Sequence, residues 1–256
     1  MFSAVTQNLT RRSAAVLTSI EGRLDRIMQM WLLLAGLACA ARVAVRPIES
    51  QVEVGTIIPY LLLIIAPFAS MVLALRWFAN GAAMPQPSLR LARAGRWRDV
   101  GAGPAKSQPL YGPSGIMVSL LVGMLLNVPV RATEYLAAIP ALVGLVPTWF
   151  STLHLLMTLD VVIFTSLYTI AFVAALRCAP IFPRLLAATW IADLAMQLMI
   201  ATVVAGTPGL PGEVAVGLHT LLDANVKKVL ISVGLWLPYL LMSRRVNLTY
   251  RHRIPA

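Results

Sequence analysis

Two carboxylates stand inside otherwise apolar runs, Asp160 in "LLMTLDVVIFTSLY" and Asp193 in "LLAATWIADLAMQLMIA". A carboxylate near the centre of a bilayer costs about 2.5–3.5 kcal/mol on insertion scales, so each requires a partner, water or a proton. Gln197 follows Asp193 by one helical turn and shares its face. The chemistry open to this trio is proton or cation handling, with Asp160 about a third of the way in from the outer surface and Asp193 nearer the inner half, as two steps of a polar path. The alternative is hydrogen bonding across helices, or protonation, that sets packing alone.

A second pattern is the echo between "VRPIE" (45–49) and "VRATE" (130–134). It places Arg46 with Glu49, and Arg131 with Glu134, three residues apart, where the charges pair along one helix face. At the outer ends of spans these residues read either as interface anchors or as a shared anion or partner site.

Other arrangements carry less. "GPSG" (112–115) resembles the Gly-x-Ser-Gly of intramembrane serine proteases, but Ser114 falls at the opposite membrane surface from His154 and His219, so no dyad closes. His219 and Asp223 share a helix face without a third clustered ligand, and no metal site is expected. Neither a phosphate-binding loop nor a dinucleotide fingerprint occurs. No catalytic residue and no cofactor are expected, and the chain reads as non-enzymatic.

These residues must be positioned by elements built for lipid. Of 256 residues, 59% are hydrophobic and only 12% charged, with a mean hydropathy of +0.79. That leaves too little polar surface to cover a soluble globule. Runs long enough to cross a core of about 30 Å recur, without the period-two alternation of a barrel. The prediction is an all-α, polytopic membrane protein of six helices, spanning about 28–45, 55–78, 114–130, 153–176, 185–205 and 229–242, the last completed by residues before it. Pro59 and Pro67 are expected to bend the second span and leave carbonyls for neighbours to satisfy. The stretch 131–152 reads as a semi-apolar loop at the interface, and 1–27 as an amphipathic segment too polar for a secretory signal.

Residues 79–110 form a basic linker punctuated by prolines, within which "SLRLARAGRWRDV" fits a short amphipathic helix on the headgroups, Leu89, Leu91 and Trp97 dipping inward. The net charge of +11 arises from basic residues flanking apolar spans, a pattern for membrane topology and not for nucleic acid. With both termini cytoplasmic, all basic residues except Arg42, Arg46, Arg131, Lys227 and Lys228 fall inside. Cys39 and Cys178 read as free thiols.

Three blocks, "YGPSGI" (111–116), "FPRLLAATWIADL" (182–194) and "LWLPYLLMSRRVNLTY" (235–250), together resemble the bacterial inner-membrane proteins of the domain of unknown function 2569 family. Gly112, Pro113 and Gly115 in the first block, and Trp236, Pro238, Tyr239, Ser243, Arg245, Val246, Thr249 and Tyr250 in the last, carry the resemblance. It covers about 111–250, so the division is an N-terminal segment with a two-span hairpin (1–78), the linker (79–110), a four-helix domain (111–250) and a tail (251–256). It implies the bacterial cytoplasmic membrane and brings no activity with it. The expected role is an assembly, regulatory or accessory factor that packs against a membrane-protein partner or a second copy, with anionic lipid at the cytoplasmic face. The alternative is a small proton-coupled transporter or channel using Asp160 and Asp193. Arg245 is expected to contact lipid phosphate.

Overall fold

A computed structural model describes residues 2–45, 54–88, 95–142, 144 and 146–256; Arg46 and Glu49 lie outside the described residues. Six of its helices are long and apolar enough to cross a membrane. They are α2 (Leu24–Ala44), α3 (Val54–Trp77), α5 (Met117–Ala138), α6 (Thr148–Leu176), α7 (Phe182–Ala205) and α8 (Gly212–Met242). Ahead of them lies α1 (Phe2–Glu21), and α4 (Ala102–Lys106) and α9 (Arg244–Arg251) fold at one end of the bundle.

Helix α6 is the axis. It is the most buried span and packs against α3, α5 and α7, while α8 leans on α7 and α2 on α3 and α5. The two-span hairpin is therefore part of one bundle with the following four helices. Two apolar clusters fill the interior. One, around Phe164, Phe172, Phe182 and Leu186, occupies the end carrying α9, and the other, around Leu63, Met157, Val161 and Ile200, occupies the opposite half. Cys39 and Cys178 are both free and buried.

Three boundaries differ from the sequence expectation, those of α5 and α8 for one reason. Charges inside a span lower its local hydropathy, yet the backbone stays helical where those charges find partners. Helix α5 continues through Arg131 and Glu134 to Ala138, α6 begins at Thr148, and α8 is a single helix from Gly212 that carries Asp223, Lys227 and Lys228 within it. The expected interfacial loop shrinks to the residues between Ala138 and Thr148.

Described parts of the linker and the tail form regular structure too. Trp97–Asp99 is a strand, β1, where a headgroup helix was expected; Leu89 and Leu91 lie outside the described residues. It pairs antiparallel with β2 (Arg253–Pro255), Arg98 opposite Ile254, and Arg253 Nε donates to Asp99 Oδ1 at 2.8 Å. Close to this ribbon, the turn after α3 presses on the end of α6. A Cβ added to Gly81 would meet the Arg177 carbonyl oxygen at 2.5 Å. Gly81→Ala forces the two turns apart and is expected to cost about 1–3 kcal/mol, read as a lowered thermal midpoint in detergent.

A buried charge centre between two clefts

The helices bring Asp160, Asp193 and Gln197 together and add a residue that the sequence pattern had assigned elsewhere. Arg131 of α5 reaches into the bundle, where its Nη1 donates to Asp160 Oδ2 at 3.2 Å and its Nη2 to Asp193 Oδ1 and Oδ2 at 2.7 and 2.6 Å. Its expected partner Glu134 turns instead to Lys228 of α8. Gln197 Nε2 donates to Asp160 Oδ1 at 2.8 Å, and Tyr168 OH to Asp193 Oδ2 at 3.1 Å. Asn225 Nδ2 of α8 donates to Gln197 Oε1 at 3.3 Å, and the guanidinium lies 5.0 Å from the Phe164 ring centroid. Four helices thus meet at one polar layer.

The layer is largely buried. Asp160 is 4% exposed and Asp193 0%, and the Arg131 side chain 12%. It separates the two apolar clusters, so its charges are weakly screened and each polar atom depends on its neighbours. All four carboxylate oxygens have donors. With both carboxylates ionised, one guanidinium faces two negative charges, and the centre carries one negative charge in excess.

Two clefts lined by α5 and α8 flank the layer. A cleft of about 150 Å³ runs from Leu120 and Trp236, at the α9 end, past Asn127 and Ser232 to Asp193. Another, of about 360 Å³, runs from Ala137 and Thr220, toward the other end, to Asp160. Arg131, Glu134, Asn225 and Lys228 line both. The two aspartates are thus held in one hydrogen-bonded unit, each bordering a different cleft.

No family model matches the chain, and no curated protein or solved structure matches it.

The remaining sequence-selected residues form a second unit, at the α9 end. Here the carbonyls that a helix leaves unpaired in its last turn are satisfied by side chains of the closing block. Arg251 Nη1 donates to Leu240 O at 2.8 Å, and Asn247 Nδ2 to Leu241 O at 3.2 Å, both at the end of α8. Tyr250 OH donates to Ala175 O at the end of α6, 2.9 Å away, while its ring packs on Phe182. The positive charge of Arg251 also suits a helix C-terminus. Burial, with Arg253 and Arg184 nearby, pulls its guanidinium down to about 10.

Ser243 caps α9 by accepting from the Val246 N–H at 3.5 Å. Arg245, expected on lipid phosphate, donates instead to Ser114 Oγ at 2.5 Å and to Gly112 O at 3.4 Å. The Thr249 hydroxyl accepts from the Gly112 N–H at 3.0 Å. Gly112 and Gly115 have φ of +102° and +73°, a backbone that favours glycine, and the Gly115 N–H donates to Ser13 of α1 at 2.8 Å. Pro113 is buried beside them. Trp236 and Tyr239 touch edge to face on α8, whose helix carries Pro238 within it.

The first and last blocks therefore bind each other, which gives their residue types a structural cause. Arg245→Ala removes charge-assisted bonds of the kind worth about 1.5–3 kcal/mol. Several-fold faster tryptic cleavage within residues 79–110 is the expected result.

Proposed function

We propose that this chain is a small multi-pass membrane protein that passes protons, alone or coupled to a solute, through the Arg131, Asp160 and Asp193 centre. The observation that carries the reading is the placement of that centre between two clefts along α5 and α8, Asp193 bordering the one that extends toward the α9 end and Asp160 the other. One proton on either carboxylate neutralises the excess charge and leaves Arg131 paired one to one with the other. Exchanging the proton between Asp193 and Asp160 moves one positive charge from the cleft at the α9 end to the cleft at the other end. Such a shift is small, because both carboxylates already share one guanidinium.

The asymmetry of Arg and Lys supports a cytoplasmic α9 end with both termini inside, and Arg131 in the bundle core removes one residue from the outer count. The ordered residues of the first and last blocks are the ground for proposing kinship with the domain of unknown function 2569 proteins, and with it a bacterial cytoplasmic membrane. The test of transport is the collapse of an imposed pH gradient in vesicles containing the purified protein. Faster collapse than in protein-free vesicles is expected, and equal rates would count against the proposal.

Full hydrogen bonding of the centre favours a second reading, a static lock in a non-enzymatic accessory factor. Mild-detergent purification from native membranes distinguishes the two. A stoichiometric protein partner supports the accessory role, whereas particles of this chain alone support transport.

A further inference from the structure

Helix α2 is fastened to the bundle near both ends and bridges a hollow between them. Leu24 is buried at its start. Toward the other end Cys39 is buried, and Arg42 Nη2 donates to Ile139 O at 3.3 Å. Between these points α2, α3 and α5 enclose an apolar groove of about 580 Å³, within the range of about 300–1,000 Å³ of ligand sites. Its α2 wall follows the helical repeat from Arg26 through Met30 and Leu34 to Ala38. That is about 18 Å of helix, slightly more than one leaflet's share of a core of about 30 Å. Small residues on α2 and prolines on the facing helices, Pro67 and Pro129, leave the space open. The indole of Trp31 is held in the wall by its bond to Ile64 O at 2.9 Å.

The groove is not uniform along its length. Arg23 and Arg26, both exposed, line it at the end nearest the α1–α2 turn, and the remaining lining is almost wholly apolar. An apolar slot of leaflet depth with two guanidiniums at its mouth complements one amphiphile, with an acyl chain for the slot and an anionic phosphate for the arginines. We infer that the α2–α3–α5 groove binds an anionic glycerophospholipid, its phosphate on Arg23 and Arg26 and an acyl chain along Leu34 and Ala38. Unlike a general attraction of the basic surface for anionic lipid, this is a site of fixed stoichiometry. It is independent of the charge centre.

Native mass spectrometry of the full chain in a neutral detergent, titrated with phosphatidylglycerol or phosphatidylcholine, tests the site. The expected result is a first phosphatidylglycerol bound at least tenfold more tightly than phosphatidylcholine. In Arg23→Gln/Arg26→Gln that preference disappears, while Arg244→Gln, an exposed arginine at the same end outside the groove, retains it. Ala38→Trp, which fills the slot, weakens both lipids. Equal affinity of the unaltered protein for the two lipids would overturn the inference. So would loss of the preference in the Arg244 variant to the same degree, which would show a diffuse charge effect. Arg23→Gln/Arg26→Gln needs no repacking, since both side chains are exposed, so it keeps the test decisive even where Ala38→Trp does not fold.

Discussion

Replacing Arg131 with methionine is expected to unfold the bundle more readily than any other single change described above. The substitution fills most of the same volume and removes the only cation bonded to Asp160 and Asp193 among the described residues. Two buried carboxylates then face each other without a cation, and breaking a buried ion pair from one side costs about 3–5 kcal/mol. For a chain of this size that corresponds to a fall in thermal midpoint on the order of 10 °C. The companion variant Arg131→Met/Asp160→Asn/Asp193→Asn carries no charge at the layer and keeps amide donors and acceptors in place. Recovery of most of the lost midpoint is expected in it. A loss as large as in the single variant would assign the defect to packing around Phe164 and Tyr168.

The second large effect concerns transport, and the charge count determines which variants report it. Changing both aspartates together leaves Arg131 buried without an anion and confounds flux with folding. Changing one leaves a neutral one-to-one pair. In Asp193→Asn, Arg131 keeps Asp160, and Gln197 still donates to it. In Asp160→Asn, Arg131 Nη2 keeps both oxygens of Asp193, and Tyr168 still donates there. Each variant is expected to fold and to lose proton movement by at least tenfold, because a lone carboxylate paired with a guanidinium has no second anion to exchange a proton with.

Much of this was legible before any coordinates. Six spans followed from run length and composition, and the two aspartates and Gln197 followed from their cost in lipid. Their partner did not. Arg131 stands directly after an apolar run and two residues past Pro129, a combination that marks the end of a span when hydropathy alone is read. The signal that identifies it is electrostatic: two carboxylates inside spans demand a cation at similar depth, and Arg131 is the one that α5 offers once the helix is continued by two turns. Lys227 and Lys228 shortened α8 in the same way. Asn225 had no signal of its own, since a single amide in a half-polar segment fits a surface as well as a core.

The structured end of the bundle was hidden for a different reason. Strand β1 pairs with β2 across more than half of the chain, and three-residue strands carry no periodicity that a sequence can display. The closing block was recognisable as an ordered set of residues, but its cause is tertiary. Arg251, Asn247 and Tyr250 answer carbonyls at the ends of α6 and α8, and those helix ends lie far apart in sequence. Arg245 looked like a lipid contact because it follows a span, whereas the glycine-rich turn that receives it precedes another span altogether.

The most direct measurement of the central claim is proton flux into vesicles reconstituted with the unaltered chain, with Asp160→Asn and with Asp193→Asn, at matched protein content and confirmed thermal midpoints. Rapid gradient collapse in the first, and rates of protein-free vesicles in both variants, is the predicted result. Collapse at the unaltered rate in either variant would contradict the assignment of Asp160 and Asp193 as the pair that carries the proton.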